Sequence, residues 1–150
     1  MKNFPVSNPH ILLIDDNQDG LLVRRALLEE VGYRVSIART GEEALKLLES
    51  SRFDVMVTDY RMPRMNGSEL IRRVRAADPN ARVILLSGFV EAMGLTEEST
   101  GADAVIAKSS REATHLMRWI KRLVSQTAAR KKPPATQRKL PVARARAISR

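Results

Sequence analysis

The sequence predicts an α/β domain in which helices cover both faces of a five-stranded parallel sheet. Four short runs of mostly apolar residues are typical of strands that are buried in a sheet, and residues 34–38 alternate between apolar and polar side chains as a fifth short strand does. A segment with the apolar spacing of an amphipathic helix follows each run. Strands that alternate with helices along a chain pair in parallel, and their right-handed crossovers place helices on both faces of the sheet.

The first two strands and helices are predicted from capping residues and apolar spacing. The first strand covers residues 10–14, and Asn17 then suits the cap of a helix. The second strand covers residues 34–38, and Thr40 with Glu43 matches a capping box that opens the second helix. We expect these two helices to bury Leu22, Val23, Ala26, Leu27 and Val31 in the first, and Ala44, Leu45 and Leu48 in the second.

The second half of the chain repeats this alternation. The third strand runs over residues 53–58 and ends at Asp59, before the turn-forming Pro63, Asn66 and Gly67. Ser109 with Glu112 forms another capping box, which opens the last helix. The remaining predicted elements are a helix over 68–77, a strand over 82–87, a helix over 89–100 interrupted by Gly94, a strand over 104–107, and a last helix with Ala113, Leu116, Met117, Ile120, Leu123 and Val124 on one stripe.

The charge of the chain is concentrated at its C-terminal end. The formal net charge is +9, from 26 basic and 17 acidic residues, yet residues 126–150 contain basic residues and no acid. We therefore predict a leader over residues 1–9, one globular domain over 10–125, and a basic, disordered tail over 126–150. No apolar run approaches the ~20 residues of a bilayer span, and no signal peptide is evident, so a cytoplasmic location is expected.

Polar residues stand at the carboxyl ends of four predicted strands, where open α/β sheets bind ligands. These residues are Asp15 and Asp16, Asp59, Ser87 and Lys108. Carboxylates about 4 Å apart repel by about 4 kcal/mol per pair at an effective dielectric constant of 20, so this edge needs a cation. Carboxylate oxygens suit Mg²⁺. With the metal, the lysine and the hydroxyl can then hold a phosphoryl group on an aspartate.

Four segments of the chain resemble the receiver domain of two-component response regulators, over about residues 9–125. They are Ile11-Leu-Leu-Ile-Asp-Asp-Asn17, Val57-Thr-Asp-Tyr-Arg-Met-Pro-Arg-Met-Asn-Gly67, Val83-Ile-Leu-Leu-Ser-Gly88 and Gly101-Ala-Asp-Ala-Val-Ile-Ala-Lys108. This resemblance implies a flavodoxin-like (βα)5 fold, a doubly wound sheet between two helical layers. It also implies that the phosphohistidine of a histidine kinase, or of a histidine phosphotransfer protein, phosphorylates Asp59.

The same resemblance implies a role for each residue at the strand ends. Asp16 and Asp59 would bind Mg²⁺ directly, Asp15 would act mainly through water, and the backbone carbonyl of Arg61 would complete the protein ligands. Lys108 and Ser87 would contact the phosphoryl group. The acids, the hydroxyl and the lysine that these roles require are all present in the sequence.

The predicted function is a stand-alone response regulator that accepts a phosphoryl group and passes the signal to a downstream protein. It is a phosphoacceptor rather than a conventional enzyme, and we expect a monomer or weak homodimer. One alternative is a docking module that does not switch. It is suggested by two departures from the family: Val105 stands in the fifth strand where the family usually has Tyr or Phe, and Ser109 follows the lysine where the family usually has Pro. Another is a regulator whose basic tail makes weak, non-specific contact with nucleic acid.

Overall fold

The computed structural model describes residues 8–88 and 90–130, with side chains up to residue 126. Most of the predicted leader, Phe89 and residues 131–150 of the predicted tail lie outside the described residues. The strands are β1 (His10–Ile14), β2 (Arg34–Ala38), β3 (Val55–Asp59), β4 (Val83–Ser87) and β5 (Ala104–Ala107). The helices are α1 (Gln18–Glu30), α2 (Gly41–Ser50), α3 (Gly67–Ala77), α4 (Val90–Met93), α5 (Glu97–Thr100) and α6 (Glu112–Arg130).

The five strands form one parallel sheet in the order β2-β1-β3-β4-β5, which confirms the predicted doubly wound, flavodoxin-like architecture. The order reverses between β1 and β3, and this is the place where such sheets bind ligands. Ile14 pairs with Thr58 across these two strands. The residues that follow them, Asp15 and Asp59, therefore leave the sheet at the same level.

Alternate residues of the strands point into two separate apolar layers, as the pleat of a sheet requires. One layer packs against α1 and α6, and the other packs mainly against α2, α3 and the segment around α5. Leu70, Ile71 and Val74 of α3 are all buried. Burial on both faces explains why the central strands are apolar at nearly every position.

The first helix does not bury the stripe that its sequence pattern predicted. Its buried residues are Leu21 and Leu28, with the side chain of Arg24 between them. The stripe of Leu22, Val23, Leu27 and Val31 is exposed, with Val23 61% exposed, and Ala26 is exposed as well. The prediction was wrong because the helix is rotated to place Arg24 against carboxylates of other elements, described below.

Side-chain caps begin several helices. Asn17, Thr40 and Asn66 accept backbone N–H bonds from Gly20, Glu43 and Glu69 respectively, which stabilises α1, α2 and α3. The capping box predicted at Ser109 is absent from the described helix start. Its hydroxyl accepts the N–H of Arg111, and the carboxylate of Glu112 binds Arg24 instead.

The predicted fourth helix is divided into two short helices. Gly94 has a φ of +63°, a backbone conformation that favours glycine, and it ends α4 before α5 begins with Thr96 as its cap. The carboxylate of Glu97 in α5 accepts the backbone N–H of Val105 at 3.0 Å. Since β5 is an edge strand, this carboxylate occupies a backbone donor at the rim of the sheet.

The last helix continues to Arg130, five residues into the segment that the sequence assigned to the tail. Leu116, Ile120 and Leu123 are its buried residues against the sheet. Within the part of the chain that the structure describes, no helix is both long enough and apolar enough to cross a membrane.

Candidate functional site

Three carboxylates meet at the carboxyl edge of the two central strands. Asp15 and Asp16 follow β1, and Asp59 is the last residue of β3. One oxygen from each lies within 4.8 Å of the others, as the strand-end prediction required. Asp15 and Asp59 are buried, whereas Asp16 is exposed, so the cluster opens to solvent on one side.

The loop after Asp59 is held close to the sheet by backbone hydrogen bonds. Tyr60 donates its N–H to the carbonyl of Leu86, and Gly67 donates its N–H to the carbonyl of Tyr60. A side chain at position 67 has no room, because a Cβ would lie 2.7 Å from the Asp59 carbonyl oxygen and 2.6 Å from Leu85 Cδ1. The glycine therefore allows the start of α3 to pack directly under the acid cluster.

Lys108 supplies a positive charge to this cluster. Its Nζ lies 2.7 Å from Asp59 Oδ1 and 3.7 Å from Asp15 Oδ2. Its backbone N–H donates to the carbonyl of Ser87, which fixes the end of β5 beside the end of β4. Every peptide bond within the described residues is trans, including the bond to Ser109. A trans bond at this position therefore lets the lysine reach the acids.

Burial and mutual repulsion change the ionisation of Asp59. Loss of solvent raises its pKa, and repulsion from Asp15 and Asp16 adds to this effect. The hydrogen bond and the charge of Lys108 act in the opposite direction, yet the pKa remains above its ordinary value. The site thus holds its central carboxylate under electrostatic stress, which a cation relieves.

Ser87 and Arg61 complete the set of predicted residues. Ser87 ends β4 with only 1% of its surface exposed, and its strand partner is Ala107, next to Lys108. Arg61 lies in the loop two residues after Asp59, and its surface is exposed. The roles assigned to Ser87 and to the carbonyl of Arg61 stay predictions.

One charged residue at the site was missed by the sequence reading. Arg24 of α1 donates from Nη1 to Asp15 Oδ2 at 3.1 Å and from Nε to Glu112 Oε2 at 2.6 Å. Burial lowers the pKa of Arg24, but the hydrogen bonds and charges of Glu112 and Asp15 more than offset this effect. The sequence did contain a signal for this role. Arg24 lies three residues after Leu21 and four before Leu28, so it shares the helix face of these two leucines, and a charge on a buried face needs a partner of opposite sign.

The donor set fits a hard divalent cation. It consists of carboxylate oxygens, the ligands that Mg²⁺ prefers, and it combines buried and solvent-open members. An open side leaves room for the water ligands that Mg²⁺ usually keeps. The cluster can therefore accept a metal ion together with an anionic group beside Asp59.

Comparison with known proteins agrees with this site. The family model described as "Response regulator receiver domain" matches residues 11–121. A response regulator receiver protein of Anaeromyxobacter sp. (strain Fw109-5) is 40% identical over 79 residues, which are 53% of this chain and 33% of that protein. The chain thus matches about a third of the length of this curated relative.

Solved structures show the same fold. A CheY-like receiver domain protein from Methanospirillum hungatei JF-1 superposes with a TM-score of 0.75 at 29% identity, covering 83% of this chain and 99% of that one. The response regulator TrrA from Thermotoga maritima, in complex with Mg(2+)-BeF, gives a TM-score of 0.69 at 29% identity, covering 77% and 98% respectively. The chain therefore belongs to the family of response regulator receiver domains.

Proposed function

We propose that this receiver accepts a phosphoryl group on Asp59 from the phosphohistidine of a histidine kinase or histidine phosphotransfer protein. Asp15, Asp16, Asp59 and the carbonyl of Arg61 would hold Mg²⁺, while Lys108 and Ser87 would bind the phosphoryl oxygens. The observation that carries the proposal is the 2.7 Å contact between Lys108 Nζ and Asp59 Oδ1 inside the acid cluster. The Mg(2+)-BeF complex of TrrA supports the choice of ion.

The chemistry is a transfer between two nucleophiles. A carboxylate oxygen of Asp59 attacks phosphorus and the P–N bond to the donor imidazole breaks. The bonding pair stays on that ring nitrogen, and the imidazole leaves neutral because its other ring nitrogen already carries a proton. Mg²⁺, when bound, neutralises the charge that builds up on the phosphoryl oxygens. Lys108 already lies beside the carboxylate of Asp59 and would give a second positive charge for the phosphoryl oxygens. The protein is changed by the reaction, so it acts as a phosphoacceptor rather than as a conventional enzyme.

The exposed face of α1 is suited to the partner that delivers the phosphoryl group. α1 starts directly after the acid cluster, and Val23 borders a groove that Ser109 and Ser110 also line. Apolar surface beside an open site favours docking of another protein. The exposed apolar residues of this face are Leu22, Val23, Leu27 and Val31.

The proposal also includes the setting in which the domain works. We infer a cytoplasmic regulator with the receiver over residues 10–125, a monomer or weak homodimer that signals to a downstream protein. Weak, salt-dependent contact of the basic C-terminal segment with nucleic acid is compatible with its charge, but it is secondary to the phosphoryl site.

Incubation of the full chain with a small acyl phosphate and Mg²⁺ tests the proposed function. Intact mass spectrometry is expected to show the addition of a single phosphoryl group, and fragmentation should locate it on Asp59. Chelation of Mg²⁺ should prevent the addition, because the acid cluster then lacks its neutralising ion. Failure to add a phosphoryl group, or its addition elsewhere, would contradict the proposal.

Substitution of Lys108 by methionine is expected to slow this phosphorylation by roughly 10²-fold, since a positioned donor for developing charge is lost. Lys121→Met is the matched control, because Lys121 is an exposed lysine of α6. The time course of the intact mass gives both rates. Equal rates for the two variants would show that Lys108 does not act on the phosphoryl group.

A further inference from the structure

Arg24 joins the acid cluster to the beginning of the last helix. Its guanidinium bridges Asp15 of the cluster and Glu112, the first residue of α6. The three side chains are 11%, 3% and 18% exposed, respectively. Charges that leave water need partners of opposite sign, so each member of this bridge depends on the others.

Both oxygens of Asp15 are already occupied in this arrangement. Oδ1 accepts the backbone N–H of Asn17 at 3.0 Å, and Oδ2 is bound by Arg24 with Lys108 Nζ at 3.7 Å. A divalent cation at the cluster therefore meets two neighbouring positive side chains. It also competes with Arg24 for the charge of Asp15.

We propose that Arg24 is a resident counter-ion of the acid cluster that stabilises the metal-free protein and lowers its affinity for Mg²⁺. Glu112 moderates this effect, because it shares the guanidinium and weakens the hold of Arg24 on Asp15. Arg24 acts through Asp15 and is thus a positioning residue. The inference rests on the proposed function, since it takes Mg²⁺ as the ion of the cluster.

The geometry of the bridge links the acid cluster to Glu112 at the start of α6. Arg24 uses separate nitrogens for its two acids, so it can keep Glu112 when Asp15 turns to the metal. Occupation of the cluster then changes the charge balance at the start of α6. By linkage, the contact of Arg24 with Asp15 weakens cation binding by the same factor by which a bound cation weakens that contact.

Measurement of Mg²⁺ affinity tests this inference without reference to phosphorylation. The full chain, freed of metal, is melted at low ionic strength over a series of MgCl₂ concentrations, and the rise in Tm gives Kd. Arg24→Met is expected to melt at a lower temperature without metal and to bind Mg²⁺ about tenfold more tightly. Arg25→Met is the control, because Arg25 is an exposed arginine on the same helix paired with Glu29. Its Kd should stay within about twofold of wild type.

Glu112→Gln should change the affinity in the opposite direction. With one acid left to bind, Arg24 holds Asp15 more firmly, and Mg²⁺ should bind about threefold more weakly. Glu29→Gln removes a matched but exposed partner and should leave Kd unchanged. This variant keeps the buried arginine paired, so it provides the answer even if Arg24→Met does not fold.

The outcomes separate the inference from the proposed function. A wild-type chain that shows no Mg²⁺-dependent rise in Tm would overturn both. A wild-type rise accompanied by an unchanged or weaker Mg²⁺ affinity in Arg24→Met, or by tighter binding in Glu112→Gln, would overturn the inference alone. A residue that only supports the fold would not increase metal affinity when it is removed.

Discussion

Replacing Asp59 with asparagine is expected to abolish phosphorylation while raising the melting temperature of the metal-free protein at neutral pH. The loss is complete because an amide is not a competent nucleophile for phosphoryl transfer. The gain in stability follows from burial and from repulsion by Asp15 and Asp16, which together raise the pKa of Asp59. An ionised carboxylate is thus the costly form in the folded state, and asparagine removes it.

The sign of this stability effect gives a pH dependence. Because the folded-state pKa of Asp59 lies above its ordinary value of 3.8, the stabilising contribution of the group is present below pH 3.8. It is lost as the pH rises through the folded-state pKa. The difference in Tm between Asp59→Asn and wild type, measured with EDTA, should therefore grow as the pH rises from 3.8 to the folded-state pKa. At higher pH it should level off.

Two measurements decide this prediction. Intact mass after treatment with a phosphodonor should show no addition to Asp59→Asn, whereas Asp19→Asn, which changes an exposed acid of the first helix, should react as the wild type does. Thermal melts in EDTA report the second part. Phosphorylation of Asp59→Asn, or a Tm below that of wild type at neutral pH, would contradict the account of the site.

Replacing Gly67 with alanine is expected to destabilise the domain by about 3 kcal/mol. The added Cβ would lie 2.7 Å from the backbone oxygen of Asp59 and 3.1 Å from the Cα of Tyr60. Backbone atoms cannot move aside as a flexible side chain can, so the end of β3 or the start of α3 must shift. The carboxylate of Asp59 would shift with them, and phosphorylation should slow as well.

Gly88→Ala is the matched control for this change. Apart from its two neighbours in the chain, no described residue has an atom within 4 Å of a Cβ built at position 88, and the backbone there does not require glycine. Urea unfolding should give a free energy within about 0.5 kcal/mol of wild type for this variant. A similar small effect for Gly67→Ala would show that the close approach beneath Asp59 is not a constraint.

Much of the site was predictable because the ends of buried strands can be recognised in the sequence. A buried strand is an apolar run, and the charged residue that stops it is visible in the sequence, as at Asp59 and Lys108. Parallel pairing then brings these ends to one edge without any knowledge of the side chains. Ile14 and Thr58 are paired across β1 and β3, so the residues that follow them, Asp15 and Asp59, lie side by side at this edge, as this reasoning requires.

The buried face of α1 was not predictable from spacing alone. Leu22, Val23 and Leu27 have the spacing of a core-facing stripe, but a period gives no information on which face contacts the sheet. The face is decided by Arg24, whose head needs carboxylates that lie elsewhere in the chain. Glu112 is 88 residues away, and no local pattern indicates that pairing.

The capping box at Ser109 failed for a related reason. Ser109 and Glu112 have the required spacing, yet a capping box needs the carboxylate to turn back to its own helix. The guanidinium of Arg24 offers Glu112 a charged donor instead. Both contacts use the charge of the carboxylate, but the guanidinium also carries a full positive charge, whereas an amide N–H does not. The contact between distant elements therefore replaces the local one.

The carboxylate that Glu97 places on the backbone of Val105 limits how copies of this domain can associate. An edge strand with free donors is a template for intermolecular strand pairing, which leads to sheet extension and aggregation. Here a negative charge covers one such donor on β5, and another chain that approached to pair would have to displace it. Extension of the sheet by strand pairing at β5 is thereby disfavoured.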